Sequence, residues 1–500
     1  MPKSIMIQGT GSGVGKTLIV AGLCRIFSKD LGLRVAPFKA QNMALNSFVT
    51  ADGGEIGTAQ ATQAEAAGIE PSVYMNPILL KASGESGSQV IVLGKVTKTM
   101  QAAEYYEKKE QFWSTVTYAW DELSAAYEFI FIEGAGSPAE INLMDREIVN
   151  MAVARHTASP VILVGDIDRG GVFASLFGTT ALLNYDDSRL IKAFIINKFR
   201  GDLNILVPGN KLIEARTGIP VIGVLPYVTN MGLPEEDGLV LDTRAKTQAV
   251  AATEHSIKIT VLRLKYISNF TDFQPFQYEP HVDLIISRRP EDILNTDLII
   301  IPGSKNTIAD LEILRAAGLD EVIKKAVKKG IPLIGLCGGY QMLGRQIEDL
   351  HGIESAQAQV PGLCLLDTMT VFNKTKTTRQ ISAQTAGQIP FVMTPHSALT
   401  GYEIHMGQTT GADTPAFIVQ GQYPDGAVKD GVWGTYIHGI FDNDAFRRDL
   451  IDGIRQRKGQ PPVEEAAVNY AAEKDAAIDR LAQLLRTNLD MEFIYSLAGL

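Results

Sequence analysis

Cysteine is scarce in this chain of 500 residues: there are three, Cys24, Cys337 and Cys364. They are too few and too scattered for a disulfide framework or a zinc site, which leaves core packing or catalysis. Long apolar runs are missing as well. None approaches the roughly 20 residues that cross a bilayer. The start, Met-Pro-Lys-Ser-Ile-Met-Ile, has neither the charged nor the apolar region of a secretory signal. A cytoplasmic location with no membrane partner is therefore expected. Basic residues do not predominate: 46 Lys and Arg stand against 56 Asp and Glu, for a formal charge of -10. Without clustered Lys and Arg to neutralise phosphates, nucleic acid is not an expected partner. There is no internal repeat and no low-complexity segment.

What is abundant is glycine, with 46 residues, alongside 45% hydrophobic and 20% charged content, as in soluble α/β enzymes. The length exceeds one hydrophobic core and suggests about two to four units. Short apolar runs bounded by Gly, Pro or Asp recur at Ser4 to Gln8, Phe129 to Ile132, Pro160 to Val164, Ala193 to Ile196 and Pro220 to Leu225, with room for helices between them. A polar stretch from Pro234 to Ser256 interrupts the alternation. A second series follows at Ile257 to Leu262, Asp283 to Ile286, Asp297 to Ile301 and Pro332 to Leu336. The expectation is an α/β protein of two domains, each with a mostly parallel sheet flanked by helices. The boundaries expected are 1–235, a linker 236–255, 256–455 and a helical extension 456–500. In that extension Ile478, Leu481 and Leu485 follow helical spacing, predicting an amphipathic helix from about Val463 to Leu489.

Directly after the first run comes Gly9-Thr10-Gly11-Ser12-Gly13-Val14-Gly15-Lys16-Thr17, leading into the apolar Leu18 to Leu23. This is a P-loop between a strand and a helix. Gly9, Gly11, Gly13 and Gly15 let backbone N–H groups converge on phosphate, Lys16 supplies a point charge and Thr17 a hydroxyl for Mg2+. Five residues rather than four separate Gly9 from Gly15. Glu133 ends a strand, where ligands of open α/β sheets collect, and is expected at Mg2+. Asp52, in a glycine-bearing loop, is a second metal candidate, although a solvated turn explains it nearly as well. Asn197, also at a strand end, is a candidate for the adenine.

In the second series Gly335-Leu336-Cys337-Gly338-Gly339 puts a cysteine on a sharp strand-to-helix turn, a nucleophile elbow in cysteine form. The following helix's start favours thiolate, and the Gly338 N–H can face an oxyanion. Gly303, in Ile301-Pro302-Gly303-Ser304-Lys305-Asn306, is expected to donate a second N–H. Far downstream, Gly434-Thr435-Tyr436-Ile437-His438-Gly439 supplies a general base and acid for Cys337. A buried cysteine is usually inert and a lone histidine usually structural, but here the two occur together, in the expected order, inside an α/β domain.

These segments resemble known families. The long P-loop is similar to that of dethiobiotin synthetase and its relatives, which activate carboxylates with ATP. The cysteine and histidine segments resemble class I glutamine amidotransferases, with one departure: those commonly carry His-x-Glu, whereas position 440 is Ile. The absent acid resembles the cobyric acid and cobyrinic acid a,c-diamide synthase branch, in which the site looks like a Cys-His dyad and in which His405 falls within a motif. Phe38 to Ser47, Glu133 to Leu143 and Tyr266 to Phe273 extend the resemblance to the cobyric acid synthase family over essentially the whole chain. The resemblance implies glutamine-fed, ATP- and Mg2+-dependent amidation of four peripheral carboxylates (b, d, e, g) of adenosylcobyrinic acid a,c-diamide in cobalamin biosynthesis. The corrinoid would be substrate, with no prosthetic group. A P-loop partitioning ATPase would leave Cys337 and His438 unexplained, and a regulatory protein with a degenerate glutaminase domain should have lost one of them. The nearest rival among enzymes is cobyrinic acid a,c-diamide synthase.

Overall fold

In the computed structural model, which describes residues 3–82, 87–229, 231–233, 256–355 and 357–500, the apolar runs of the first half form one six-stranded sheet. Its spatial order is Val221–Pro226, Ile191–Phe199, Val161–Asp166, Lys3–Gly9, Phe129–Glu133, Val35–Phe38. All neighbours are parallel. Both faces are covered, so Ile5, Met6, Ile7, Ile130, Phe131 and Ile132 are all buried and the strands read as unbroken apolar runs. Growth of the sheet switches sides at Lys3–Gly9, and the crevice beyond the carboxyl ends of such strands is where ligands sit. Gly9 and Glu133 both end there.

The second half builds a sheet in the order Val282–Ser287, Ile257–Leu262, Leu298–Ile301, Leu333–Leu336, Val432–Thr435, Ala427–Lys429, parallel except for its last pair. Cys337 follows one of its central strands. Both domains also carry antiparallel structure that the apolar runs do not announce. The larger piece is a seven-stranded sheet around Thr368–Thr385 and Leu399–Gly411. Its threonine-rich strands are buried only at alternate positions, and incompletely, so their hydrophobic signal is weak.

The long strand also docks the halves together. Lys376 and Lys81 both pair with the fully buried Glu55, at 2.5 and 2.7 Å. Burial pushes the Lys376 ammonium down to about 7 even though the Glu55 carboxylate opposes the shift. The expected linker 236–255 lies outside the described residues. The terminal helix runs over Tyr470–Asn488, seven residues later than the spacing suggests, because Asn469 caps it by accepting from the Ala472 N–H. It returns to the first domain, burying Ile478, Leu481 and Leu485 in one cluster with Ile19, Leu23 and Ile26. Gly22 permits the approach: a Cβ there would meet Leu485 Cδ1 at 2.5 Å. Leu485→Ala should therefore cost about 2–5 kcal/mol, read as a lower thermal midpoint; an unchanged midpoint would show that this clasp adds nothing. Among the described residues no helix is long and apolar enough to cross a membrane.

Two candidate active sites

At the first site the turn Gly9 to Gly15 wraps the start of the helix Lys16–Lys29. Gly15 has φ +99, and a Cβ on it would lie 2.2 Å from Asn197 Nδ2, so only glycine fits. Lys16 Nζ donates to Gly11 O at 2.9 Å. The Glu133 carboxylate, fully buried, is the hub of the site. It accepts from Thr17 Oγ1 at 2.9 Å, Lys39 Nζ at 2.9 Å, Gln63 Nε2 at 2.6 Å and Gln60 Nε2 at 3.4 Å. Lys39, Gln60 and Gln63 were not singled out from the sequence; Lys39 follows the strand Val35–Phe38, a position that could have flagged it. A cavity of about 290 Å³ opens beside Lys16, lined also by Lys39, Asn42, Glu140 and Arg146.

Thr17 and Glu133 are thus brought together, as hard oxygen donors suited to Mg2+, which takes one or two protein ligands alongside nucleotide phosphates. Asp52 is not brought to them: it is exposed and bonded by Thr50 Oγ1 in its own turn. Asn197 sits against the loop itself, its Nδ2 donating to Val14 O at 2.8 Å and its Oδ1 accepting from the Lys198 N–H.

At the second site Cys337 ends the strand Leu333–Leu336 with φ 49 and ψ -107, a strained conformation for a non-glycine residue. The helix that follows is Gly338–Leu343. The Cys337 thiol donates to Ile404 O at 3.7 Å. His438 is buried, and Cys337 is among the groups that raise it. Burial opposes its charge, but the Asp272 carboxylate at Nδ1, with Cys337, raises it to about 10. Asp272 Oδ2 lies 2.7 Å from Nδ1, and Oδ1 accepts from the Gly439 N–H at 2.9 Å.

The expectation of a dyad without an acid is corrected here: the carboxylate comes from 166 residues upstream of the histidine. Ile440, at the usual acid position, is buried in the core. An acid inside the aromatic run Phe270-Thr271-Asp272-Phe273 was the signal available in the sequence. Gly338 faces the short strand Gly303–Ser304, which pairs with Ile267–Ser268, so closely that a Cβ would meet Ser304 N at 2.8 Å. Nearby, Gln341 accepts from Thr307 Oγ1 at 3.0 Å and donates to Tyr436 OH at 3.2 Å. His405 stacks on Tyr436, with centroids 3.9 Å apart.

Residues 5–240 match the model of the CobQ/CobB/MinD/ParA nucleotide binding domain, and residues 258–446 that of the CobB/CobQ-like glutamine amidotransferase domain. The chain is 48% identical to a cobyric acid synthase of Thermodesulfovibrio yellowstonii over 505 residues, covering 100% of both. It is 49% identical to one of Dehalococcoides mccartyi, covering 99% of each, and 47% identical to one of Citrobacter koseri, covering 99% of this chain and 98% of the relative.

Proposed function

The chain belongs to the cobyric acid synthase family, and from that premise we propose that it amidates the b, d, e and g carboxylates of adenosylcobyrinic acid a,c-diamide with ATP and L-glutamine. The observation that carries the reading is the pair of sites in one chain, Lys16 with Thr17 and Glu133, and Cys337 with His438 and Asp272. At the first, Lys16 and the amides of Gly9, Gly11, Gly13 and Gly15 hold the phosphates, with Asn197 bracing the turn at the adenine end. A substrate carboxylate oxygen attacks the terminal phosphorus and ADP leaves, giving an acyl phosphate. Thr17 and Glu133 would hold a Mg2+ arriving with the nucleotide, which would offset charge on the transferred phosphoryl group. Ammonia then adds to the acyl carbon, inorganic phosphate leaves, and a proton is lost to give the amide.

At the second site Cys337 Sγ attacks the amide carbon of glutamine while the N–H groups of Gly303 and Gly338 face the oxyanion. His438 gives its proton to the leaving nitrogen, ammonia departs, and water, deprotonated by the same ring, hydrolyses the thioester to glutamate. Asp272 keeps Nδ1 protonated and the ring oriented. Asp272→Asn removes the larger influence that raises His438 and leaves the smaller one of Cys337 against the burial that lowers it. Since activity that needs protonated His438 is lost as pH rises through its pKa, the alkaline limb of glutamate release should move to lower pH. The rate should fall by on the order of a hundredfold; a limb unmoved from the parent's would reject the role.

The test of the whole reading is mass spectrometry of the corrinoid after incubation with ATP, Mg2+ and glutamine. Four carboxyl-to-amide conversions are expected on adenosylcobyrinic acid a,c-diamide; conversion only of cobyrinic acid at its a and c positions would make this a cobyrinic acid a,c-diamide synthase instead.

A further inference from the structure

Asn46 and Ser47 belong to the nucleotide-binding half, with Ser47 lying 222 residues ahead of Asn269. Both are buried, and their bonds end on the groups that surround His438. The Ser47 N–H donates to Asn269 Oδ1 at 3.1 Å, and the Ser47 carbonyl accepts from the Tyr402 hydroxyl at 3.2 Å. Each of those two residues touches the histidine. Asn269 Nδ2 lies 3.3 Å from Nδ1 and 3.4 Å from Nε2, and the Tyr402 ring stacks on the imidazole, with centroids 5.2 Å apart and planes 18° from parallel.

A third bond runs from the Phe270 N–H to Asn46 Oδ1 at 3.1 Å, two residues before Asp272. Asn269, in the left-handed region at φ 51, ψ 46, opens the 3-10 helix Phe270–Tyr278 that carries Asp272, so the bond from Asn46 falls on the first residue of that helix. On its other side the Asn46 carbonyl accepts from the Thr58 N–H at 3.3 Å, at the start of the helix Thr58–Ala67, which brings Gln60 and Gln63 to Glu133.

We propose that Asn46 and Ser47 are positioning residues of the glutaminase reaction. The nucleotide-binding domain holds Asn269, the start of the helix carrying Asp272, and Tyr402 against His438, and the imidazole is aligned for Cys337 only while the two domains are docked. The inference rests on the assignment of Cys337 and His438 as the glutaminase pair. It gives the fusion of the domains a mechanical consequence: the first domain supplies part of the second domain's catalytic frame.

The test uses the full chain, measuring glutamate release against glutamine concentration and ammonium-driven amidation on the same preparations. Asn46→Ala should lower kcat for glutamate release by on the order of ten- to a hundredfold, as a small misalignment of reacting groups does. Its KM for glutamine should stay within about twofold, since an interaction made only in the transition state is lost. Ammonium-driven amidation should persist. Asn46→Leu keeps a similar volume but removes the acceptor for the Phe270 N–H and should lose as much rate as Asn46→Ala, whereas a merely volumetric role would let it recover.

If Asn46→Ala fails to fold, shown by loss of ammonium-driven amidation too, Tyr402→Phe decides. It keeps the stacked ring, drops only the hydroxyl on Ser47, and should lose kcat severalfold. Unchanged kcat in the folded variants, or a raised KM with kcat intact, overturns the proposal. Parent and Cys337→Ser are run alongside: glutamate release that ignores Cys337→Ser would instead condemn the glutaminase assignment.

Discussion

Cys337→Ser should abolish synthesis from glutamine and leave synthesis from ammonia near the parent level. Cysteine sulfur is the stronger nucleophile and ionises far more readily, whereas a serine hydroxyl stays protonated and must be deprotonated in the same step. The Asp272 carboxylate, still beside Nδ1 in this variant, raises His438 and leaves the ring poorly disposed to take that proton at neutral pH. The expected loss in glutamate release is at least on the order of ten-thousandfold. Supplied ammonia bypasses the step, because the carboxylate is activated at Lys16 and Glu133, on a different sheet. The measurement is glutamate release together with corrinoid mass gain, with each nitrogen donor given separately at a pH where free ammonia is appreciable. Glutamine hydrolysis at the parent rate would remove Cys337 from its role, and loss of the ammonia reaction would mean that the two sites do not act separably.

Lys16→Ala should have the opposite signature and a comparable size. It removes a charge from the site of phosphoryl transfer, a step shared by both nitrogen donors, so amidation should fail with glutamine and with ammonia alike. Glutamate release in the absence of synthesis should survive, since Cys337, His438 and Asp272 make their contacts without Lys16. Near-normal amidation by this variant at saturating ATP and ammonium would show that the Gly9 to Thr17 loop is not where the carboxylate is activated.

The sequence made some of this legible because the physics involved is local. Strands buried on both faces leave continuous apolar runs, and Phe129 to Ile132 or Pro332 to Leu336 could be read directly from them. The P-loop and the cysteine elbow are short segments whose glycines are demanded by a tight turn or a close approach, as at Gly15 and Gly338. What stayed hidden depends on residues distant in the chain. Thr368–Thr385 shows neither a continuous nor a cleanly alternating pattern, because much of that long strand is only partly covered. Asp272 reaches His438 from the 3-10 helix Phe270–Tyr278, which nothing near the histidine announces. Lys39 converges on Glu133 from the end of one strand, and Gln60 and Gln63 from the helix Thr58–Ala67, and neither place announces Glu133 as its target. Asp52 illustrates the converse: a carboxylate in a glycine-bearing loop looks the same in sequence whether it binds metal or accepts from Thr50 in an ordinary turn.

The central claim is that nitrogen freed at Cys337 is consumed at the P-loop site of the same enzyme. It is tested most directly by supplying glutamine labelled with heavy nitrogen in its side-chain amide, with unlabelled ammonium as competitor, ATP, Mg2+ and adenosylcobyrinic acid a,c-diamide. The account predicts that the new corrinoid amides carry the label, with one glutamate released per amide formed. Glutamate release without any label in the corrinoid would contradict it.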